Sequence, residues 1–156
     1  MTMRLAAYHH PTAGFTLPLP TGWERVEDTE GVALIAVEPD RYPWFRANLV
    51  VTIEQLPAGM DLGGWAEAGL GHLDRTLQGL LLLDLEQTEI GGRPTHRTLA
   101  HHTTEAGAVT MEQWTLTGAT LGYTVTASVG TLEYDDLADL FATMAAGFRP
   151  DPAFTP

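Results

Sequence analysis

Apolar and polar positions alternate with a period of two along most of this chain, and change to spacings of three and four in two places. Phe15, Leu17 and Leu19 alternate with small or polar residues, and Pro11-Thr12-Ala13-Gly14 supplies a turn, so Tyr8 to Leu19 predicts a hairpin. Pro18 and Pro20 have no N–H for a ladder and predict an edge position for that strand. A second hairpin is predicted from Glu24 to Asp28 and Val32 to Val37, around Thr29-Glu30-Gly31. The run 32–37 is apolar on both faces, which places it inside a sheet. Pro39 to Phe45 reads as a loop interrupted by two prolines, and Asn48 to Glu54 as a strand. Four more strands follow at Leu80–Ile90, Pro94–Thr104, Val109–Thr117 and Leu121–Val129. Their links, Gly91-Gly92, Glu105-Ala106-Gly107 and Gly118-Ala119, are short enough to force antiparallel neighbours.

The longer period appears first after Asp61, an N-cap residue for a helix to about Gln78. Leu62, Trp65, Ala66, Gly69, Leu73 and Leu77 fall on one face of it. Gly63, Gly64, Gly69 and Gly71 each cost up to about 1 kcal/mol relative to alanine, so packing against a sheet must hold this helix. The second helix spans about Glu133 to Gly147, with Leu137, Leu140, Phe141, Met144 and Phe148 as its apolar stripe. Glu133, Asp135 and Asp136 suit its first turn, where the helix dipole favours anions. The predicted fold class is α+β: an antiparallel meander with two main helices packed on it, in a single domain over residues 1–156.

Composition narrows the chemistry. The formal charge is −12, and all eight basic residues are arginines scattered singly along the chain. Phosphate backbones and anionic membranes require clustered positive charge, so nucleic acid and membrane surfaces are excluded as partners. No lysine means no Schiff base, and no cysteine means no thiol nucleophile or disulfide. Ser128 is the one serine, and Thr126-Ala127-Ser128-Val129-Gly130 is not a nucleophile elbow. No apolar run approaches membrane-spanning length, and the first ten residues do not read as a secretory signal, so the expected location is cytoplasmic.

Phe15 to Trp23, Asn48, Gly91 to Pro94, Gln113 to Leu116, Gly122 to Val125 and Ala146 to Arg149 stand in an order that resembles the PsbP/Mog-like superfamily, which includes the bacterial DcrB, LpqN and EagR-type proteins. Gly14-Phe15-Thr16-Leu17-Pro18-Leu19-Pro20-Thr21-Gly22-Trp23 resembles its opening "F-x-(I/L)-x-x-P-x-G-W". Asn48 entering a strand, Gly91-Gly92-Arg93-Pro94, Gln113-Trp114-Thr115-Leu116, Gly122-Tyr123-Thr124-Val125 and Ala146-Gly147-Phe148-Arg149 match later motifs in order. The resemblance covers about residues 8–149. It implies an antiparallel sheet with helices on its faces, and a superfamily whose members bind other macromolecules without a shared catalytic constellation. On that basis Trp23, Asn48 and Phe148 are structural markers.

The expected function is a non-enzymatic protein- or peptide-binding module, an adaptor or secretion-chaperone-like protein, with no cofactor and no metal. Tyr42, Trp44 and Phe45, aromatics in a proline-bounded loop, are the candidate contact surface. The alternative is a metal-dependent hydrolase built from histidines and carboxylates. His96, His101 and His102 share one predicted strand, but His101 and His102 point to opposite faces, and His96 and His102 lie about 20 Å apart. They read instead as solvated strand histidines, as do His9 and His10. A homodimer, paired through a sheet face or edge, remains open as well.

Overall fold

The computed structural model describes residues 3–41 and 43–151. Its frame is a seven-stranded antiparallel sheet in the order β3-β4-β5-β9-β8-β7-β6. These strands are β3 (Glu24–Thr29), β4 (Val32–Val37), β5 (Asn48–Gln55), β6 (Leu81–Ile90), β7 (Arg93–Thr104), β8 (Gly107–Thr117) and β9 (Leu121–Gly130). The last four form the meander expected from their short links. Gly91 and Gly92 turn the chain from β6 to β7 with φ of 57° and 80°, backbone that favours glycine at both positions.

One face of this sheet carries nearly all of the core. Leu34, Leu49, Val51, Leu116, Tyr123, Val125, Ala127 and Val129 are fully buried there by period-two alternation. Helix α2 (Tyr134–Ala146) covers it with Phe141, Met144 and Ala145. Beside α2 lies a small sheet of β1 (Leu5–His9), β2 (Phe15–Pro20) and β10 (Arg149–Pro150), in the order β1-β2-β10. Phe15 and Leu17 of β2 enter the same core. Helix α1 (Leu62–Thr76) packs on the opposite face, over β7 and β8. Its N-cap is Asp61, whose side chain accepts from the Gly64 N–H at 2.8 Å.

One strand assignment needs correction. Strand β2 is central in the small sheet rather than an edge, because the two-residue β10 pairs with Phe15 and Thr16. Thr21 N–H donates to the Arg4 carbonyl, so the odd residues of β2 face β1 in the ladder and the even ones face away. Pro18 and Pro20 therefore turn their donorless nitrogens to the side that β10 is too short to reach. The edge holds for half a strand. Strand β4 lies inside the large sheet, between β3 and β5, as the run 32–37 predicts; Ala33, Leu34 and Ala36 are buried, while Ile35 and Val37 stay half-exposed on the face opposite Leu34 and Ala36.

His10 is also not a solvated histidine. Its ring is buried, Nδ1 accepts from the N–H groups of Thr12 and Ala13, and Nε2 donates to the Ala33 carbonyl at 2.8 Å. It ties the first turn to β4. His9, next along, is exposed.

Where α1 meets the sheet, the Trp65 ring lies directly on Gly122 of β9, and a Cβ there would sit inside the indole. Gly122→Ala should lift the N-terminal end of α1 and destabilise the fold by about 1–3 kcal/mol. A urea midpoint, read together with the tryptophan emission maximum, measures both effects; an unchanged midpoint would mean that α1 is not seated on β9.

Candidate functional site

The face that α1 covers is only half covered. The ladder registers place Val26, Ile35, Val50, Thr126, Gln113, Thr98 and Leu85 in one row across all seven strands. The next row contains Val37, Asn48, Ser128, Met111, Ala100 and Leu82. Under α1 the row members Thr98, Gln113, Ala100 and Met111 are buried. Beyond its inner edge, Val50, Thr52, Thr124, Thr126 and Ser128 are half-exposed. A groove of about 520 Å³ runs along this boundary. Trp65, Gly69, His72, Leu73 and Thr76 of α1 form its wall, and the hydroxyls of β5 and β9 its floor.

The groove's chemistry follows from these residues. Gln113 donates through Nε2 to Thr126 Oγ1 at 3.1 Å, which orients the amide within the floor. The lining has one carboxylate, Glu54, two histidines, His72 and His102, and no arginine. Burial pushes the His102 imidazole below its ordinary value of 6.5. The site is therefore suited to neutral or cationic groups, with hydroxyls to bond a peptide backbone and an apolar wall for side chains.

The aromatic loop ends at this groove. Phe45 lines it, and Trp44 beside it is 61% exposed, while Tyr42 lies outside the described residues. Two arginines hold the loop. Arg41 bridges Glu38 at 3.0 Å and Glu133 at 2.7 Å. Arg46 donates to the Glu38 carbonyl and to Glu24, and Glu38 N–H donates to the Ala47 carbonyl. An exposed tryptophan on a braced loop keeps its apolar surface available at low entropic cost.

Of the structural markers, Trp23 and Phe148 lie in the main core, and Asn48 stands at the head of β5 beside Ser128. Trp23 is 5% exposed and packs in the main core at the exit of β2. Asn48 Nδ2 donates to the Arg46 carbonyl where the loop enters β5. Phe148 is fully buried, with its ring 5.4 Å from Phe15 and 5.8 Å from Tyr123.

The histidines of β7 do not converge. His96 and His102 share the α1 side but line separate cavities, and His101 belongs to the other face. Among the described residues no group of three or more histidines and carboxylates could hold a metal ion.

A buried polar cluster under α2 was not legible in the sequence. Glu112, 3% exposed, accepts from Tyr134 Oη and from Arg97 Nε, each at 2.7 Å. Arg97 also lies 3.6 Å from Asp84 and 3.8 Å from Glu86. Burial, and then the bond to Glu112, push the Tyr134 phenol up to about 12. Every charge here has a partner and no nucleophile stands near, so the cluster anchors α2 to β8. The only hint was an acid at position 112 among residues whose alternation called for burial.

Neither the family models nor the curated protein sequences give a match to this chain. Solved structures do. The chain superposes on the PsbP protein of Synechocystis, CyanoP, with a TM-score of 0.73 at 17% identity, covering 96% of this chain and 94% of that one. LpqN of Mycobacterium tuberculosis, involved in cell envelope biogenesis, gives 0.73 at 18%, covering 97% and 93%. The Ran-binding protein Mog1p of Saccharomyces cerevisiae gives 0.68 at 12%, covering 99% and 100%. The chain has the PsbP/Mog-like fold.

Arg97→Met, which leaves Glu112 buried beside Tyr134 alone, should cost about 3 kcal/mol in urea unfolding. Tyr134→Phe should cost about 1–2 kcal/mol. His102 sets a pH dependence. Its folded value is lowered, so the unfolded chain takes up a proton near pH 6.5 while the folded chain does not. Its effect on stability is nil at higher pH and becomes destabilising as pH falls through that value. Urea midpoints at about pH 7 and 5.5 should differ less in His102→Gln than in the parent protein.

Proposed function

We propose that this protein is a non-enzymatic binding module, an adaptor or chaperone that holds a neutral or basic segment of another protein in the groove beside α1. The observation that carries the reading is the sheet face left half-covered beside an exposed Trp44. A seven-stranded sheet normally buries both faces or makes one of them polar. Here the uncovered half carries Ile35, Val37 and Val50 next to a floor of hydroxyls, a combination that suits a peptide with apolar side chains and unsatisfied backbone groups. The net charge of −12 and a groove without arginine favour basic over acidic segments. A fold shared with a Ran-binding protein supports a protein partner.

Trp44 and Phe45 serve as the anchor at the mouth of the groove, since a solvent-facing tryptophan on a braced loop is the usual hot-spot residue. Display selection of peptides on the full chain, followed by titration of the winners, tests this. Trp44→Ala should weaken them at least tenfold, about 1.4 kcal/mol. Thr126→Trp, which fills the floor, should abolish binding while leaving the fold intact by circular dichroism. Winners that bind the filled variant as tightly as the parent would overturn the groove as the site.

A further inference from the structure

The groove beside α1 has two unlike ends. At one end Phe45 sits against Gly130, the last residue of β9, where a Cβ on the glycine would lie 3.9 Å from the Phe45 Cβ. Trp44, beside it, is exposed. At the other end Glu54 pairs with Gly122, the residue on which the Trp65 ring rests. Glu54 is exposed and lines the groove, and among the described residues no other carboxylate and no arginine does. Gly122, Gly130 and Glu54 all face α1, since alternate residues of a strand share a face and paired residues lie side by side. From Gly122 to Gly130, β9 extends about 27 Å.

Between these ends the floor is a ladder of hydroxyls. Thr124, Thr126 and Ser128 occupy every second position of β9, and Thr52 stands opposite Thr124 on β5. Their repeat is about 6.7 Å, the interval at which an extended chain turns its main-chain N–H and C=O groups to one side. A helix consumes those groups internally, apart from its ends, and has none to offer such a floor. Thr126 is already oriented: its oxygen accepts from Gln113 Nε2, which leaves the hydroxyl proton to donate to a bound carbonyl. Helix α1 keeps alongside β9 over this length, with Trp65 on Gly122 and Leu73 clustered with Met111, the partner of Ser128. An extended segment laid along β9 therefore has hydroxyls beneath it and an apolar wall beside it throughout.

Granted the groove as the binding site, we propose that its occupant is an extended segment of another protein with a large apolar residue at the Phe45 end and an arginine or lysine, about six to eight residues away, that meets Glu54. Glu54 is then the specificity-determining residue of the site. An extended chain covers the span in about eight residues, and the reach of a basic side chain shortens that to about six. A helix would need about eighteen residues to touch both ends. With a single carboxylate in the lining, a basic residue elsewhere in the segment finds no partner there, so position as well as charge is read.

Display peptides of about ten residues and of about twenty, selected in parallel on the full chain, test this, because at the shorter length only an extended peptide spans both ends. Short winners on the parent should carry arginine or lysine about six to eight residues from a large apolar residue. Winners on Glu54→Arg should keep the apolar residue and lose the basic one. In titrations of a short parent winner, Glu54→Gln should weaken binding about threefold and Glu54→Arg about tenfold, both effects shrinking between about 50 and 500 mM NaCl, as for an exposed ion pair. Moving the basic residue to about three positions from the apolar one should cost a similar factor of about three, and should make the peptide insensitive to Glu54→Gln. Winners that Thr126→Trp blocks but Glu54→Arg binds as tightly as the parent would overturn the role of Glu54 and leave the groove standing. Recovery from the longer library alone would mean a helical occupant and overturn the extended one. Winners indifferent to Thr126→Trp would overturn the groove itself.

Discussion

Phe148 is where three separately built parts of the molecule are joined. Its ring packs between Phe15 of the small sheet and Tyr123 of the large one, at the point where the chain leaves α2. Gly147 allows this, because Pro18 lies against it so closely that a side chain there would strike the proline ring. With Phe148 in place, Arg149 and Pro150 come beside Thr16 and Phe15 as a short third strand. The layer covering the core is then continuous: small sheet, aromatic junction, α2. Without that junction the hydrophobic face of seven strands would have no lid, and burial of that face is the main favourable contribution to folding.

The opposite face obeys a different economy. Its rows contain threonine, serine and glutamine where the core face has leucine and valine, and among the described residues α1 is the helix that rests on it. Hydroxyls on a strand tolerate both burial and water, so the face can lie half under a helix and half open. The groove is the boundary between those halves. Its lining carries a single carboxylate, Glu54, in a chain of strong net negative charge.

Much of the fold was legible because it depends on period. The alternation of Phe15, Leu17 and Leu19, the links at Gly91-Gly92 and Gly118-Ala119, and the spacing from Leu62 to Leu77 each predict an element that exists. What escaped depends on contacts between elements. The two residues of β10 carry no pattern of their own and become a strand only because Phe148 delivers them to β2. His10 reads as an ordinary edge residue until the turn donors and the Ala33 carbonyl close around it. The apolar run 32–37 does lie inside the sheet, but period alone does not say that its Ile35 and Val37 face stays half-exposed. Trp44 and Phe45 stood out by composition, while the groove that Phe45 lines needed the β5–β9 register to bring its floor together.

Helix α1 is the wall of that groove, and among the described residues it buries three of its own side chains, Trp65, Ala66 and Leu73, against a small apolar cluster with Ala100 and Met111 and against Gly122. Four glycines lower its intrinsic helicity further. Elements with few buried contacts open at lower free energy than the core beside them. The wall should therefore behave as its own cooperative unit, exchanging amide hydrogens well before the strands beneath it. In that case the width of the groove is not a single dimension but a distribution, and a segment bulkier than the resting groove could enter by drawing on the helix's own opening equilibrium.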